Sequence, residues 1–143
     1  MTPLLMRISV ITVCYNAAST LEDAVQSVLG QTADPREPFD LEYIVVDGGS
    51  TDGTLDLIEH YRSRIAKLIS EPDQGLYDAM NKGIRAATGD VVAILNADDV
   101  YASLDILARV AAAFRETDAE AIYGDLTYVT AEDITQVKRH WRA

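Results

Sequence analysis

Short β-branched runs alternate with stretches of helical period along the whole chain, and this alternation is the dominant signal. Residues 7–14 (Arg-Ile-Ser-Val-Ile-Thr-Val-Cys) read as a strand buried on both faces. Ser19-Thr20-Leu21-Glu22 has the spacing of a capping box, and Leu21, Ala24, Val25, Val28 and Leu29 behind it form one apolar stripe of a helix. Residues 33–39 hold Pro35 and Pro38 and form a loop. A second strand covers 41–47, with an Ile44-Val45-Val46 centre suited to a parallel sheet covered on both sides. The turn Asp47-Gly48-Gly49-Ser50-Thr51-Asp52-Gly53 feeds a helix over 54–62. A weaker strand follows at 66–70. Leu76, Ala79, Met80, Gly83, Ile84 and Ala87 then predict an amphipathic helix that stops at Gly89. Residues 91–95 are the most apolar strand, 106–114 a helix, and 121–123 and 126–129 two strands around Gly124-Asp125. This order predicts an α/β fold: three layers, α/β/α, around a mostly parallel sheet.

At 143 residues the chain reads as a single domain, with 48% hydrophobic and 24% charged residues. No apolar run reaches the ~18 residues of a membrane-spanning helix. The first residues are too short for a signal peptide and lack a small-residue cleavage site, so a cytoplasmic location is expected. The net charge of −11 argues against nucleic acid as a partner. An acidic chain can still bind a phosphorylated ligand through an intervening divalent cation. Cys14 is the single cysteine, which excludes an internal disulfide and a multi-cysteine zinc site, and its apolar strand marks it as a buried, inert thiol.

Ligands of open parallel sheets bind beyond the carboxyl ends of the strands. Three such ends are polar here: Tyr15-Asn16, Asp47-Gly48-Gly49 and Asn96-Ala97-Asp98-Asp99. Adjacent carboxylates repel, so Asp98 and Asp99 suit a compensating cation, a hard divalent ion that also takes diphosphate oxygens. Their other reading is a strand-end turn that caps the helix beginning near Ser103 or Leu104; convergence of the three ends favours the cation. Asp47 is placed to accept from a base imide or a sugar hydroxyl, with Gly48 and Gly49 admitting close backbone approach. Thr51 and Asp52 read as a turn and an N-cap. Tyr15 either stacks on a nucleobase or covers the sheet edge. Lys82 and Arg85 lie on a polar helix face, solvated or neutralising a phosphate, while Asp78 and Asn81 could brace the Asp98 loop. The basic run 138–142 reads as a solvated strand end.

Two phosphate motifs are excluded. Gly48 to Gly53 has the spacing of a Walker loop, but Thr54-Leu55 follows where Lys-Ser/Thr is required. The dinucleotide fingerprint fails because Ser50 holds its second glycine position and the turn follows the second strand.

Val10-Ile11-Thr12-Val13-Cys14-Tyr15-Asn16, Ile44 through Thr54, and Leu95-Asn96-Ala97-Asp98-Asp99 together resemble the three signature segments of family 2 glycosyltransferases. Asp73-Gln74-Gly75-Leu76-Tyr77-Asp78-Ala79-Met80-Asn81-Lys82-Gly83 is similar to a subgroup among bacterial polysaccharide-assembly enzymes. The resemblance runs from about Ile8 to Asp125 in order and spacing. It implies the GT-A, Rossmann-like nucleotide-diphospho-sugar transferase fold, with a donor site drawn from Thr12, Tyr15, Asn16, Asp47, Gly48, Lys82 and Asp98. It implies Mn²⁺ or Mg²⁺ at Asp98 and Asp99. Many members carry Asp where this chain has Asn96. The implied reaction moves a sugar from a nucleotide sugar, UDP-linked above all, to the hydroxyl of a saccharide or lipid-linked acceptor, with inversion.

Family members continue further and supply acceptor contacts and a carboxylate base there. The resemblance therefore makes residues 1–143 the donor-binding half of a C-terminally truncated enzyme, with homodimerisation through exposed apolar surface and a peripheral place at the inner membrane face as further expectations. Two other readings stay open. One is a non-catalytic nucleotide-sugar-binding module. The other is a nucleotidyltransferase, although Tyr15-Asn16-Ala17-Ala18 is not the Gly-rich, Arg/Lys-bearing loop that class carries after its first strand.

Overall fold

The computed structural model describes residues 5–143; the first four residues, which bear on the signal-peptide reading, lie outside it. Where length suggests one domain, contacts divide the chain into two compact units, one up to Ala111 and one from Ala112 to Ala143.

In the first unit, β1 (Met6–Cys14), β2 (Phe39–Asp47), β3 (Lys67–Ser70) and β4 (Val91–Ile94) form one parallel sheet in the order β3-β2-β1-β4. Between them run α1 (Leu21–Leu29), α2 (Thr54–His60), a short 3-10 turn and α3 (Leu76–Ala86). α4 (Ile106–Glu116) follows, its residues up to Ala111 belonging to this unit. Side chains alternate across a strand, so β1 presents Ile8, Val10 and Cys14 to one layer and Ile11 and Val13 to the other. The first layer is filled by Leu21, Val25 and Val28 of α1, Ile58 of α2 and Leu107 of α4. Each such side chain contributes roughly 1.5–3 kcal/mol when fully buried. The second is closed by α3 through Ala79, next to Ile11, Val13, Ile44 and Val46. The three-layer arrangement thus follows from strands that are apolar on both faces.

Gly83 explains how close α3 comes, since a Cβ there would lie 2.5 Å from Ile11 Cγ2. At the amino end of the sheet, Glu42 is buried and accepts from Ser9 Oγ (2.7 Å), Thr88 N–H (2.8 Å) and Thr88 Oγ1 (2.6 Å). Gly89 N–H donates to the same serine hydroxyl at 2.9 Å. Gly89 therefore does not terminate α3, whose cap is the extended Ala87; it passes where a Cβ would meet Ser9 at 2.5 Å. The expected capping box also does not form. No side chain caps α1, and Glu22 accepts from the Tyr61 hydroxyl instead.

The second unit holds an antiparallel pair, β5 (Leu126–Val129) and β6 (Val137–Trp141). Residues 121–123 are not a strand. The basic run at 138–142 supplies most of β6, whose residues are all exposed.

Candidate functional site

β1 is followed by β2 on one side and paired with β4 on the other, so the strand order reverses beside its carboxyl end. A cavity of about 390 Å³ opens there, bounded by Val13 to Ala17, Ser19, Thr20, Leu76 and Asn96 to Asp98. The switch point of an open α/β sheet is where ligands are expected. Tyr15, Asn16 and Asp98 come together in this cavity. Leu76, which the helical stripe placed in the core, is half exposed and forms part of its wall.

The floor is built by two loops tied to each other. Asn16 takes φ +49°, a left-handed conformation that asparagine tolerates better than most residues. Its N–H donates to Ser50 Oγ at 2.8 Å, and its carboxamide oxygen accepts from Thr51 N–H at 2.9 Å. Asp52 accepts from Ala18 N–H (3.2 Å), from Thr54 N–H (2.9 Å) and from the Thr54 hydroxyl. The Thr54 hydroxyl chiefly, then these N–H groups, hold its carboxyl below the usual range. Thr51 and Asp52 thus shape the turn and the start of α2. The Asn16 side-chain oxygen is spent on that turn, so toward the cavity Asn16 acts by positioning. Tyr15, 64% exposed, leaves a ring face open to a planar group.

At the end of β4, Asp99 N–H donates to Asn96 O at 3.1 Å and closes a tight turn. Asn96 Oδ1 is buried without a hydrogen-bond partner among the described residues. Neither Asp98 nor Asp99 caps α4: that helix begins at Ile106, where Gln31 Oε1 accepts from Leu107 N–H at 3.0 Å. Partial desolvation, then the adjacent Asp98 charge, push the Asp99 carboxyl above the usual range. No three His, Cys, Asp or Glu side chains converge among the described residues. The fit to a divalent ion therefore rests on hard oxygens: the two carboxylates, the orphaned Asn96 carboxamide and oxygens from a ligand.

Four of the residues that the resemblance assigns to the donor have neighbours within the chain. Thr12 is wholly buried and accepts from the Tyr43 hydroxyl at 2.9 Å, because alternation along β1 turns it toward the α1 layer. Asp47 is also 0% exposed; its oxygens accept from Gly49 N–H (3.1 Å), Ser50 N–H (3.2 Å), Ser50 Oγ (2.5 Å) and Ser70 Oγ (2.8 Å). In this structure the turn and the end of β3 supply the donors to Asp47. Gly48 admits a neighbour from within the chain, since a Cβ would lie 2.5 Å from Asp73 Oδ2. Lys82 pairs with Glu71 (3.0 Å) and Asp78 (3.6 Å) and donates to Pro72 O (3.1 Å), bracing the segment before α3. Cys14 matches its reading: burial first, then Asp47, push its thiol up to about 12.

The comparisons assign this parallel α/β sheet, with its acidic β4 end, to the nucleotide-diphospho-sugar transferase fold, GT-A. The sequence profile "Glycosyl transferase family 2" matches residues 9–142, and the chain belongs to that family. A PGL/p-HBAD biosynthesis glycosyltransferase of Mycobacterium bovis is 38% identical over 122 residues, 82% of this chain and 46% of the relative. An uncharacterized glycosyltransferase of Nostoc sp. is 38% identical over 133 residues, 91% of this chain and 39% of the relative. The chain thus spans less than half the length of these curated relatives. Among solved structures, S. aureus TarS 1-349 in complex with UDP-GlcNAc superposes with a TM-score of 0.67 at 29% identity, over 78% of this chain and 32% of that one. The mannosyltransferase PcManGT from Pyrobaculum calidifontis, in complex with GDP-Man and Mn²⁺, gives 0.66 at 27%, over 94% and 39%.

Proposed function

We propose that residues 1–143 form the donor-binding part of a glycosyltransferase that uses a UDP-sugar and glycosylates a hydroxyl of a saccharide or lipid-linked acceptor in bacterial glycoconjugate synthesis. The observation that carries this reading is a switch-point cavity lined by Tyr15, Asp98 and Asn96, whose Oδ1 is buried without a partner among the described residues. A buried acceptor without a donor costs about 1–3 kcal/mol, which a ligand hydroxyl or cation would recover. That a neighbour of this fold is complexed with UDP-GlcNAc and another with GDP-Man and Mn²⁺ supports a nucleotide-sugar donor. In this reading Tyr15 covers the base, while Asn96, Asp98 and Asp99 hold Mn²⁺ or Mg²⁺ against the diphosphate. The metal, when bound, supplies Lewis-acid stabilisation of charge on the departing nucleoside diphosphate. The turn through Asn16, Thr51 and Asp52 keeps the floor rigid. Inversion at the anomeric carbon and a cytoplasmic setting, including the inner membrane face, belong to the same proposal. No helix among the described residues is long and apolar enough to cross a membrane.

Calorimetric titration of UDP, with and without Mn²⁺, tests the reading, with GDP and dTDP as comparisons. Metal-dependent UDP binding that Asp98→Asn with Asp99→Asn abolishes is the expected result. A folded chain that binds no nucleotide would overturn it.

A further inference from the structure

The acidic turn at the end of β4 is followed by residues 100–105, which belong to no helix or strand. Such a segment keeps its shape through bonds to its neighbours rather than through a ladder of its own. Here those bonds converge on one end of α1. Tyr101, two residues after Asp99, donates its N–H to Ser27 Oγ at 3.2 Å. Gln31 Nε2 donates to Ser103 O at 2.7 Å and to Ser27 O at 3.2 Å, while Gln31 Oε1 accepts from Leu107 N–H at 3.0 Å. Thr32 donates to Leu104 O both from its N–H (2.8 Å) and from its hydroxyl (3.2 Å).

The Gln31 carboxamide thus joins three stretches of backbone: α1 itself, the loop before α4 and the first turn of α4. This takes donors and an acceptor on one group; a glutamate of the same length only accepts, and a methionine donates nothing. The near end of the tethered segment is the site. Asp98 lines the cavity, and Asp99 N–H bonds back to Asn96 O at 3.1 Å. Only Val100 separates Asp99 from the first of the tethers, so a displaced loop would carry Asp99 with it. Neither Gln31 nor Ser27 bounds the cavity, and their effect on a ligand there passes through the turn.

We propose that Gln31, helped by Ser27, is a positioning residue for the metal-binding turn: by fixing residues 101–107 on α1 it sets Asp98 and Asp99 against Asn96. The inference rests on the donor-site reading above, in which these three residues hold the divalent ion.

The test compares the wild-type chain with Gln31→Met, Gln31→Glu and Ser27→Ala. Glu42→Gln serves as a control loosened at the opposite end of the sheet. UDP is titrated with and without Mn²⁺, and amide hydrogen exchange is followed over residues 98–107 without metal. In both Gln31 variants the gain in UDP affinity from Mn²⁺ is expected to shrink about tenfold, with metal-free UDP affinity unchanged and exchange faster over 98–107. Ser27→Ala, which removes a single tether, is expected to show a smaller loss of the same kind, and it carries the test if the Gln31 variants unfold. Glu42→Gln is expected to keep the full gain. Variants that exchange faster over 98–107 yet keep the Mn²⁺ gain, or that lose UDP affinity equally with and without Mn²⁺, would overturn the positioning role and leave the donor site standing. A wild-type chain that gains nothing from Mn²⁺ would remove the metal reading, and this inference with it.

Discussion

The side-chain oxygen of Asn16 accepts the backbone N–H of Thr51 at 2.9 Å, joining the end of β1 to the turn after β2. Asn16 also holds a positive φ, so it serves the site through both its backbone and its carboxamide. Asn16→Gly keeps the conformation and loses the bond, at a cost of about 0.5–1.5 kcal/mol. Asn16→Ala loses the bond and adds left-handed strain of roughly 1–2 kcal/mol. Denaturant midpoints should therefore fall in the order wild type, Gly, Ala, and UDP affinity should fall with them. Equal midpoints for Gly and Ala would show that φ at residue 16 relaxes freely.

Gly83 sets the depth at which α3 sits on β1. Gly83→Ala places a methyl 2.5 Å from Ile11 Cγ2, and overpacking of this kind costs about 1–3 kcal/mol. Ile11→Ala leaves a gap on the same contact. The double variant should be less destabilised than the two single losses added together, because each change relieves the other. Additive losses in urea unfolding would mean that α3 shifts as a body and the contact is not shared.

These two contacts also show what was legible in the sequence. Strand and helix order was, because alternation and helical period are local, and so were the three polar strand ends, because a parallel sheet brings carboxyl ends to one edge. Facing was only partly legible. Thr12 and Asp47 sit at the right ends of the right strands, but pleat parity turns Thr12 inward, and the Ser50 and Ser70 hydroxyls that claim Asp47 come from a turn and another strand. Asp73 over Gly48 joins residues on different loops, and no periodicity encodes that. The orphaned Asn96 oxygen is likewise a property of the packed turn, not of the motif. β6 carries Lys138, Arg139 and His140, whose run reads as a solvated strand end, but its partner β5 and the Thr127–His140 side-chain contact at 3.0 Å are not encoded in that charge.

Glu42 predicts an acid-sensitive fold at the end of the sheet away from the site. Burial works to raise its carboxyl, but bonds from Thr88 and Ser9, with Lys67 at 3.7 Å, prevail and bring it from the usual 4.5 down to about 2. A folded-state value below the unfolded one means that the unfolded chain takes up the proton first. The stabilisation is then fully present above about pH 4.5 and is lost as pH falls through about 2. Denaturant unfolding from pH 5 to pH 2 should show a steeper loss for the wild-type chain than for Glu42→Gln. Parallel curves would exclude Glu42 as the source.

Lys82 separates two accounts of the same ammonium. Its contacts to Glu71, Asp78 and Pro72 O are internal, and the Glu71 bond foremost raises its pKa, so charge compensation is already in place without a ligand. If bracing is its role, Lys82→Met loosens the segment that leads to Leu76 in the cavity wall. It then weakens uridine and UDP by the same factor and lowers the unfolding temperature. A lysine that touches the diphosphate behaves otherwise, because its removal costs UDP a charge-assisted bond of about 1.5–3 kcal/mol and leaves uridine unchanged. Titration of both ligands against Lys82→Met distinguishes the two. Equal losses keep Lys82 as a brace, and a loss confined to UDP returns it to the phosphate.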